Sequence, residues 1–342
     1  MSQIKQGDQA DFNEHCGTPP LDPKKENDAR WRDDCRRLSA RFLEDLLTRA
    51  PWREAVPFEG VGIAGARIVG DVDLGNAKLI RSIEIYGSRI EGGITLLRVQ
   101  TDSLIGLVGS HMAREFTADG LHAESDLLLR NSVFKSMVRL NGAKIDGDVD
   151  MTGASFNGKL DADALRVGGS VFMYSGAQNK ANFREVVLKS ATINGQIDMD
   201  GASFDGKLNA DSLQVGASLF MRSTGQDKAS FKYVNLSGAK ITGQIFMTGA
   251  SFDSTLNASS LQVGGSLFMN SDVQNKASFE DVVLRGAKIT GQIDMTGASV
   301  GGTLYADSLQ VGGSLLIYSE DQNKTRFKDE FCSPRRSMAT SR

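Results

Sequence analysis

The sequence predicts an all-β fold: a β-solenoid with four short strands per coil of about 22 residues, about eleven coils long, behind a short N-terminal α-helical cap. Three observations carry this. An apolar rhythm of 11 residues runs almost unbroken from Ala66 to Val311, as in Ala66-x-Ile68, Val72-x-Leu74, Ala77-x-Leu79 and Ile83-x-Ile85. A unit that short cannot bury its own apolar face and must stack on its neighbours. From Ala66 to Met173 the register holds without insertion. Of its 40 inward positions 36 are apolar, the exceptions being Ser88, Thr101, Ser110 and Ser132, in a chain only 40% hydrophobic.

The second observation is a column of phenylalanines in every other unit: Phe134, Phe156, Phe183, Phe204, Phe231, Phe252 and Phe279, interrupted by Val300 and resumed at Phe327. Ile145, Val167, Ile193, Val215, Ile241 and Val263 fill the units between. Two units therefore make one coil, and coils stacked at ~4.8 Å give a rod about 50 Å long. The third is a period of 48 residues, seen in the near copies that begin at Ala143, Ala191, Ala239 and Ala287. It is two coils plus five inserted residues less one deletion. The insertions fall at Tyr174–Lys180, Arg222–Lys228, Asn270–Lys276 and Tyr318–Lys324, and a four-strand coil places all of them on one corner of alternate coils.

Taken in order, residues 1–28 are polar, contain three prolines, lack periodicity and read as a flexible tail. Residues 29–60 read as the cap and its linker. Cys35, Leu38, Phe42 and Leu46 share a helical stripe broadened by Leu43 and Leu47, and Pro51 ends the helix. Its task is to cover the open edge and core of the first coil, with Trp52 and Phe58 completing the plug. The solenoid spans residues 61–331. Apolar-x-apolar pairs are the period-2 signature of short strands, and bends at Gly70, Gly92, Gly147, Gly158 and Gly169 suit positive φ. Residues 332–342 read as a polar C-terminal tail.

A formal charge of -3 gives no basic footprint for nucleic acid, so no direct nucleic-acid partner is expected. No apolar run approaches the length of a membrane span, and the first residues lack the apolar core of a secretory signal. Cys16, Cys35 and Cys332 lie far apart and form no disulfide framework, so a cytoplasmic, reducing setting is expected.

The segments Ala154-Ser-Phe-Asn-Gly158, Ala202-Ser-Phe-Asp-Gly206 and Ala250-Ser-Phe-Asp-Ser254 resemble the A-x-[LF]-x-x unit of pentapeptide-repeat proteins. That resemblance, over about Gly60–Phe327, implies a right-handed quadrilateral β-helix. Steps of five and six alternate here, so the chain is more similar to bacterial solenoid proteins built on GARIxGxLDL-type repeats. Gly65-Ala-Arg-Ile-Val-Gly-Asp-Val-Asp-Leu74 and the Phe42-Leu43 helix match these. Members are sometimes labelled membrane-associated oxidoreductases, a label that no residue here supports.

Motifs that carry chemistry are few. Gly60-Val-Gly62-Ile-Ala-Gly65 spells the dinucleotide-binding glycine pattern, but strand periodicity follows it where a helix is needed. His15, His111 and His122 fall in different units without convergent ligands, and Cys35 reads as a buried structural thiol. Aspartate pairs recur at Asp148 with Asp150, Asp161 with Asp163 and Asp198 with Asp200. They suit general acid and base work on a glycan or, more simply, a solvated strand face. No catalytic residue, metal or cofactor is assigned.

The inserted loops are the binding candidates, through Ser175, Gln178, Asn179 and Lys180; Ser223, Gln226, Asp227 and Lys228; Ser271, Gln274, Asn275 and Lys276; and Ser319, Gln322, Asn323 and Lys324. Shared descent explains their likeness equally well, because the core repeats are as similar. The reading is a non-enzymatic binding or scaffold protein offering a rigid repetitive surface for protein–protein interaction, with homodimerisation through the C-terminal coil edge. A topoisomerase-binding DNA mimic and an enzyme, glycan-active or redox, are the alternatives.

Overall fold

The computed structural model describes residues 9–25 and 27–318, and the backbone alone over Arg326–Phe331. Parallel strands wind through three sheets, and one coil gives the plan. Ile83–Tyr86 lies in a front sheet. Arg89–Ile90 and Ile94–Thr95 lie in a folded sheet that bends round a corner, and Gln100–Thr101 lies in a back sheet. Ile105–Val108 then returns to the front, where Ile83 pairs with Ile105, so one coil is 22 residues.

The front sheet has 13 strands, twelve from successive coils and one from the N-terminal segment. The extra coil beyond the expected eleven arises because Val61–Ala64 precedes the start of the 11-residue rhythm. At ~4.8 Å per coil the rod is about 55 Å long. From Ser155 onward the second and third strands of each coil run on as one bent strand, as in Ser155–Asp161. The corner survives as a register shift between Phe156 and Lys159.

The core is a single column. All 40 inward positions of the insertion-free region are buried except Ala77, which is half-buried. Rings from Phe134 to Phe279 stack with centroids 4.7 to 5.2 Å apart. The polar exceptions are satisfied: the hydroxyl of Ser132 donates to Leu107 O at 2.9 Å and accepts from Ser110 N at 3.0 Å. Most bend glycines answer to space, not to φ. Only Gly70 among the five has positive φ (94°), whereas a Cβ at Gly92 or Gly158 would sit 2.1 or 2.3 Å from a carbonyl oxygen of the coil beneath.

The N-terminal segment corrects the sequence reading. Residues 1–8 and Glu26 are outside the described residues, but the rest of the expected tail is packed against the rod. Ala10–Asp11 pairs with Ile63–Ala64 as an extra front strand, and Leu21 is buried. A disulfide joins Cys16 to Cys35, against the expectation of unpaired thiols. Arg37–Ser39 pairs with Arg67–Val69, so the backbone is extended there and the helix covers only Ala40–Thr48. The helix does cap the core. Ala40, Leu43, Leu46 and Leu47 are buried, and Glu44 Oε1 accepts from the edge amide of Asp73 at 2.8 Å.

Trp52 and Phe58 are exposed (45% and 83%) and take no part in the plug, whereas Trp31, at 1%, is buried outside the core column beside the Arg36 and Arg89 guanidiniums. The Arg36 guanidinium, fully buried and set over the Trp31 ring, donates to Asn13 Oδ1 at 2.9 Å, to Gly65 O at 2.7 Å and to Thr18 Oγ1. The segment then climbs the rod, where Arg89 Nε donates to Pro23 O at 3.0 Å and Lys24 Nζ to Asn179 Oδ1 at 2.9 Å.

Candidate functional site

The three described loops leave the front sheet and enter the folded sheet, so they share one corner on alternate coils. In each, the front strand (Val171–Phe172, Leu219–Phe220 or Leu267–Phe268) is followed by the loop and then by Asn182–Val187, Ser230–Asn235 or Ser278–Val283. The loops close alike. The amides of Gly176, Thr224 and Asp272 donate to the carbonyls of Asn179, Asp227 and Asn275, each at 2.9 Å. Ser319, Gln322, Asn323 and Lys324 of the fourth loop lie outside the described residues.

The structure divides the candidate residues into two groups. The serines are fasteners: Ser175, Ser223 and Ser271 donate to the carbonyls of Gly201, Gly249 and Gly297 on the next coil at 2.7 to 2.8 Å. Each also accepts from the amide of Ala181, Ala229 or Ala277 at 2.9 to 3.1 Å. Asn179, Asp227 and Asn275 fold down over the glycine corner of the preceding coil. A Cβ at Gly201 would lie 2.8 Å from that of Asp227, and one at Gly249 would lie 2.6 Å from that of Asn275. Asn275 Nδ2 reaches Gly225 O at 3.2 Å, and Lys180 Nζ reaches Lys228 O at 3.2 Å, so neighbouring loops touch. Gln178, Lys180, Gln226, Lys228, Gln274 and Lys276 are exposed at the tips.

Beside this edge lies a feature that the sequence reading missed. The outward row of the front sheet runs Phe172, Asp198, Phe220, Phe246, Phe268, Asp294 in register. Phe220 and Phe246 stack at 5.1 Å and 2°, and Phe246 and Phe268 at 5.1 Å and 9°. The Arg222 guanidinium lies 4.8 Å from the Phe220 centroid, and its Nε donates to Asp200 Oδ2 at 2.9 Å. A groove of about 410 Å³ runs over Phe246 and Phe268 between the second and third loops. The signal was available in Leu219-Phe220-Met221, Ile245-Phe246-Met247 and Leu267-Phe268-Met269, where an aromatic takes the outward place between two core residues.

Of the paired aspartates, Asp148, Asp150, Asp161, Asp198 and Asp200 are occupied with the backbone or with cations. Asp150 Oδ1 accepts from Thr152 N at 2.9 Å and Asp198 Oδ1 from Asp200 N at 3.0 Å, while Asp161 pairs with Lys159 at 2.9 Å. Burial pushes the Asp198 carboxyl above the usual carboxylate range, and the neighbouring Asp200 carboxylate adds to this. The glycine pattern at Gly60 to Gly65 encloses a front strand and leads into the strand Arg67–Val69. Among the described residues no group of three or more His, Cys, Asp or Glu converges on a point, and no helix is long and apolar enough to cross a membrane. No family model, no curated protein and no solved structure matches this chain.

Proposed function

We propose that this chain is a non-enzymatic binding protein, a rigid rod that offers its loop edge to a protein partner. The observation that carries this reading is the division of labour in each loop. Half-buried Ser175, buried Ser223 and Ser271 and the folded-down Asn179, Asp227 and Asn275 fix the backbone, leaving the Gln and Lys tips exposed at a two-coil step. Tips held by a rigid scaffold lose little freedom on binding, which favours affinity.

The pentapeptide-repeat kinship belongs to this proposal, but the DNA mimicry it implies needs a concentrated acidic face, and the loop tips carry lysines. A second copy at the C-terminal coil is also part of it. Leu315 and Ile317 stand at inward positions yet are 40% and 39% exposed, against 0% for Ile293 and Met295 one coil below. A monomer mass in light scattering at micromolar concentration removes that element. The cytoplasmic setting requires Cys16 and Cys35 to remain reduced, whereas a disulfide such as theirs belongs to oxidising compartments.

The test replaces Gln178, Lys180, Gln226, Lys228, Gln274 and Lys276 by Ala and leaves every anchor intact. A partner that crosslinks to wild type, is purified, and then fails to bind this variant supports the loop edge. Equal binding to both proteins overturns it.

A further inference from the structure

The front face is three outward positions wide, and its chemistry is arranged in columns along the rod. The centre column is the strip Phe220, Phe246, Phe268, bracketed by Asp198 and Asp294. Because the rings stack on one another, their faces are spent within the ladder and their edges form the outer surface. On one side stand Gln196, Ser218, Gln244, Ser266 and Gln292, each two residues before its centre-column neighbour and half-buried. On the other stand Asp200, Arg222, Thr248 and Asn270. Here Arg222 is neutralised by Asp200, and Thr248 Oγ1 donates to Asn270 Oδ1 at 2.9 Å. The result is an apolar strip between a row of hydroxyls and amides and a row made of the Asp200–Arg222 ion pair, Thr248 and Asn270.

Size decides what such a face can hold. From Asp198 to Asp294 is about 20 Å, and three outward columns span about 13 Å, so the face covers about 260 Å². A stable protein interface needs about 800 Å² from each partner. The groove of about 410 Å³, which joins Phe246, Phe268, Thr248 and Asn270 of this face to Arg222, Ser223, Thr224 and Asp272 at the loop edge, lies instead in the range of small-ligand sites. Its ligand must be elongated, uncharged, apolar on one surface and rich in hydroxyls at both margins. A chain of equatorially linked pyranoses has that form, with ring C–H groups on its flat surfaces and hydroxyls along both edges. Each of its sugars advances by about one coil.

We propose that the front face from Asp198 to Asp294 binds an extended, uncharged, equatorially linked glycan lying along the rod axis. Its apolar surface rests on Phe220, Phe246 and Phe268, and its hydroxyls are held by the flanking Gln, Ser, Thr and Asn side chains. About four sugars fill the strip. The carboxylates of Asp198 and Asp294 accept hydroxyl hydrogen bonds at its ends. No bond is broken. This inference goes beyond the loop-edge reading; the strip adjoins the loops through Arg222, Ser223, Thr224 and Asp272 but does not use their Gln and Lys tips.

The test is calorimetric titration of the whole chain with cellobiose, cellotetraose, cellohexaose and oligogalacturonate. Affinity is expected to rise from cellobiose to cellotetraose, to level off at cellohexaose, and to be lower for the anionic chain. Phe246→Ser and Phe268→Ser, both at outward positions, are expected to keep the fold, at a melting temperature lowered by the lost stacking, and to weaken cellotetraose binding roughly tenfold or more. The six-tip loop variant is expected to bind cellotetraose as wild type does, which separates this inference from the protein-binding proposal. Failure of every neutral oligosaccharide to bind at millimolar concentration overturns it. So does equal binding by the folded Phe246→Ser protein, or a purified protein partner whose binding alone is lost with Phe246.

Discussion

The two halves of the rod share one coil but cover the corner between the front and folded sheets in different ways. In the N-terminal half Ser88, Ser110 and Ser132 point inward at that corner, where their hydroxyls accept from the amides of Ala66, Ser88 and Ser110 at 3.0 to 3.1 Å. The N-terminal segment lies over the outside, tied down by Arg36, Arg89 and Lys24. In the C-terminal half alanines replace those serines, and the hydroxyl comes from Ser175, Ser223 or Ser271 in a loop that is also the cover. A corner interrupts the strand ladder and leaves amides that need an acceptor. One half meets that need with a distant segment, the other with a local insertion. The local solution repeats and leaves the adjacent front face free to carry Phe220, Phe246 and Phe268.

The largest expected effect sharpens the contrast in core packing. Phe204→Ala removes a ring stacked at 4.9 and 5.0 Å on its neighbours and is expected to cost about 3–5 kcal/mol. Chemical denaturation should report it, and hydrogen exchange should localise it to the C-terminal half. An equal rise in exchange over Val61–Leu140 would show that the halves do not differ in this way.

Next comes the distant cover. Cys16→Ser opens a loop of 19 residues and is expected to loosen the N-terminal segment by about 3 kcal/mol. Hydrogen exchange should rise over residues 10–25 and stay unchanged beyond Lys180, past the Lys24–Asn179 contact. Unchanged exchange over 10–25 would mean that Arg36 and Trp31 hold the segment without the bond.

The local cover is expected to yield a smaller change. Ser223→Ala leaves Gly249 O and Ala229 N without their partner at a cost of about 1–3 kcal/mol, whereas Gln226→Ala at the tip stays within about 0.5 kcal/mol. Equal melting temperatures for these two variants would remove the distinction between anchors and tips.

The smallest effect is in pH. Because burial raises the Asp198 carboxyl, the folded protein binds that proton more tightly than the unfolded chain does. Its contribution is therefore fully present below the ordinary carboxylate range and is lost as pH rises through the raised value. Asp198→Asn is expected to melt slightly higher than wild type at neutral pH and at the same temperature in acid. A shift that is constant across pH would assign the effect to packing.

The same contrast explains what could be read in advance. The stacking of Phe134 through Phe279 was legible because a residue repeated at each coil must meet its own copy one coil away. The corner position of the loops followed from counting residues per coil. The roles of Ser175 and Asn179 did not, because each acts on a corner glycine of a neighbouring coil, Gly201 and Gly153, and not on its own. The Cys16–Cys35 bond and the pairing of Ala10–Asp11 with Ile63–Ala64 were hidden as well, since a segment that docks only once has no period.

By itself, then, the sequence determined which residues face inward, how many make a coil and where the insertions fall. Facing direction in a strand is set locally by alternation, and a repeat imposes the same choice on every coil. Only the tertiary structure decided that Arg36 locks the N-terminal segment to the first coil, that the loop serines are fasteners, and that Phe220, Phe246 and Phe268 join into one exterior strip. Those outcomes depend on which residues meet across coils and on what a docked segment covers, and neither is encoded in any single repeat.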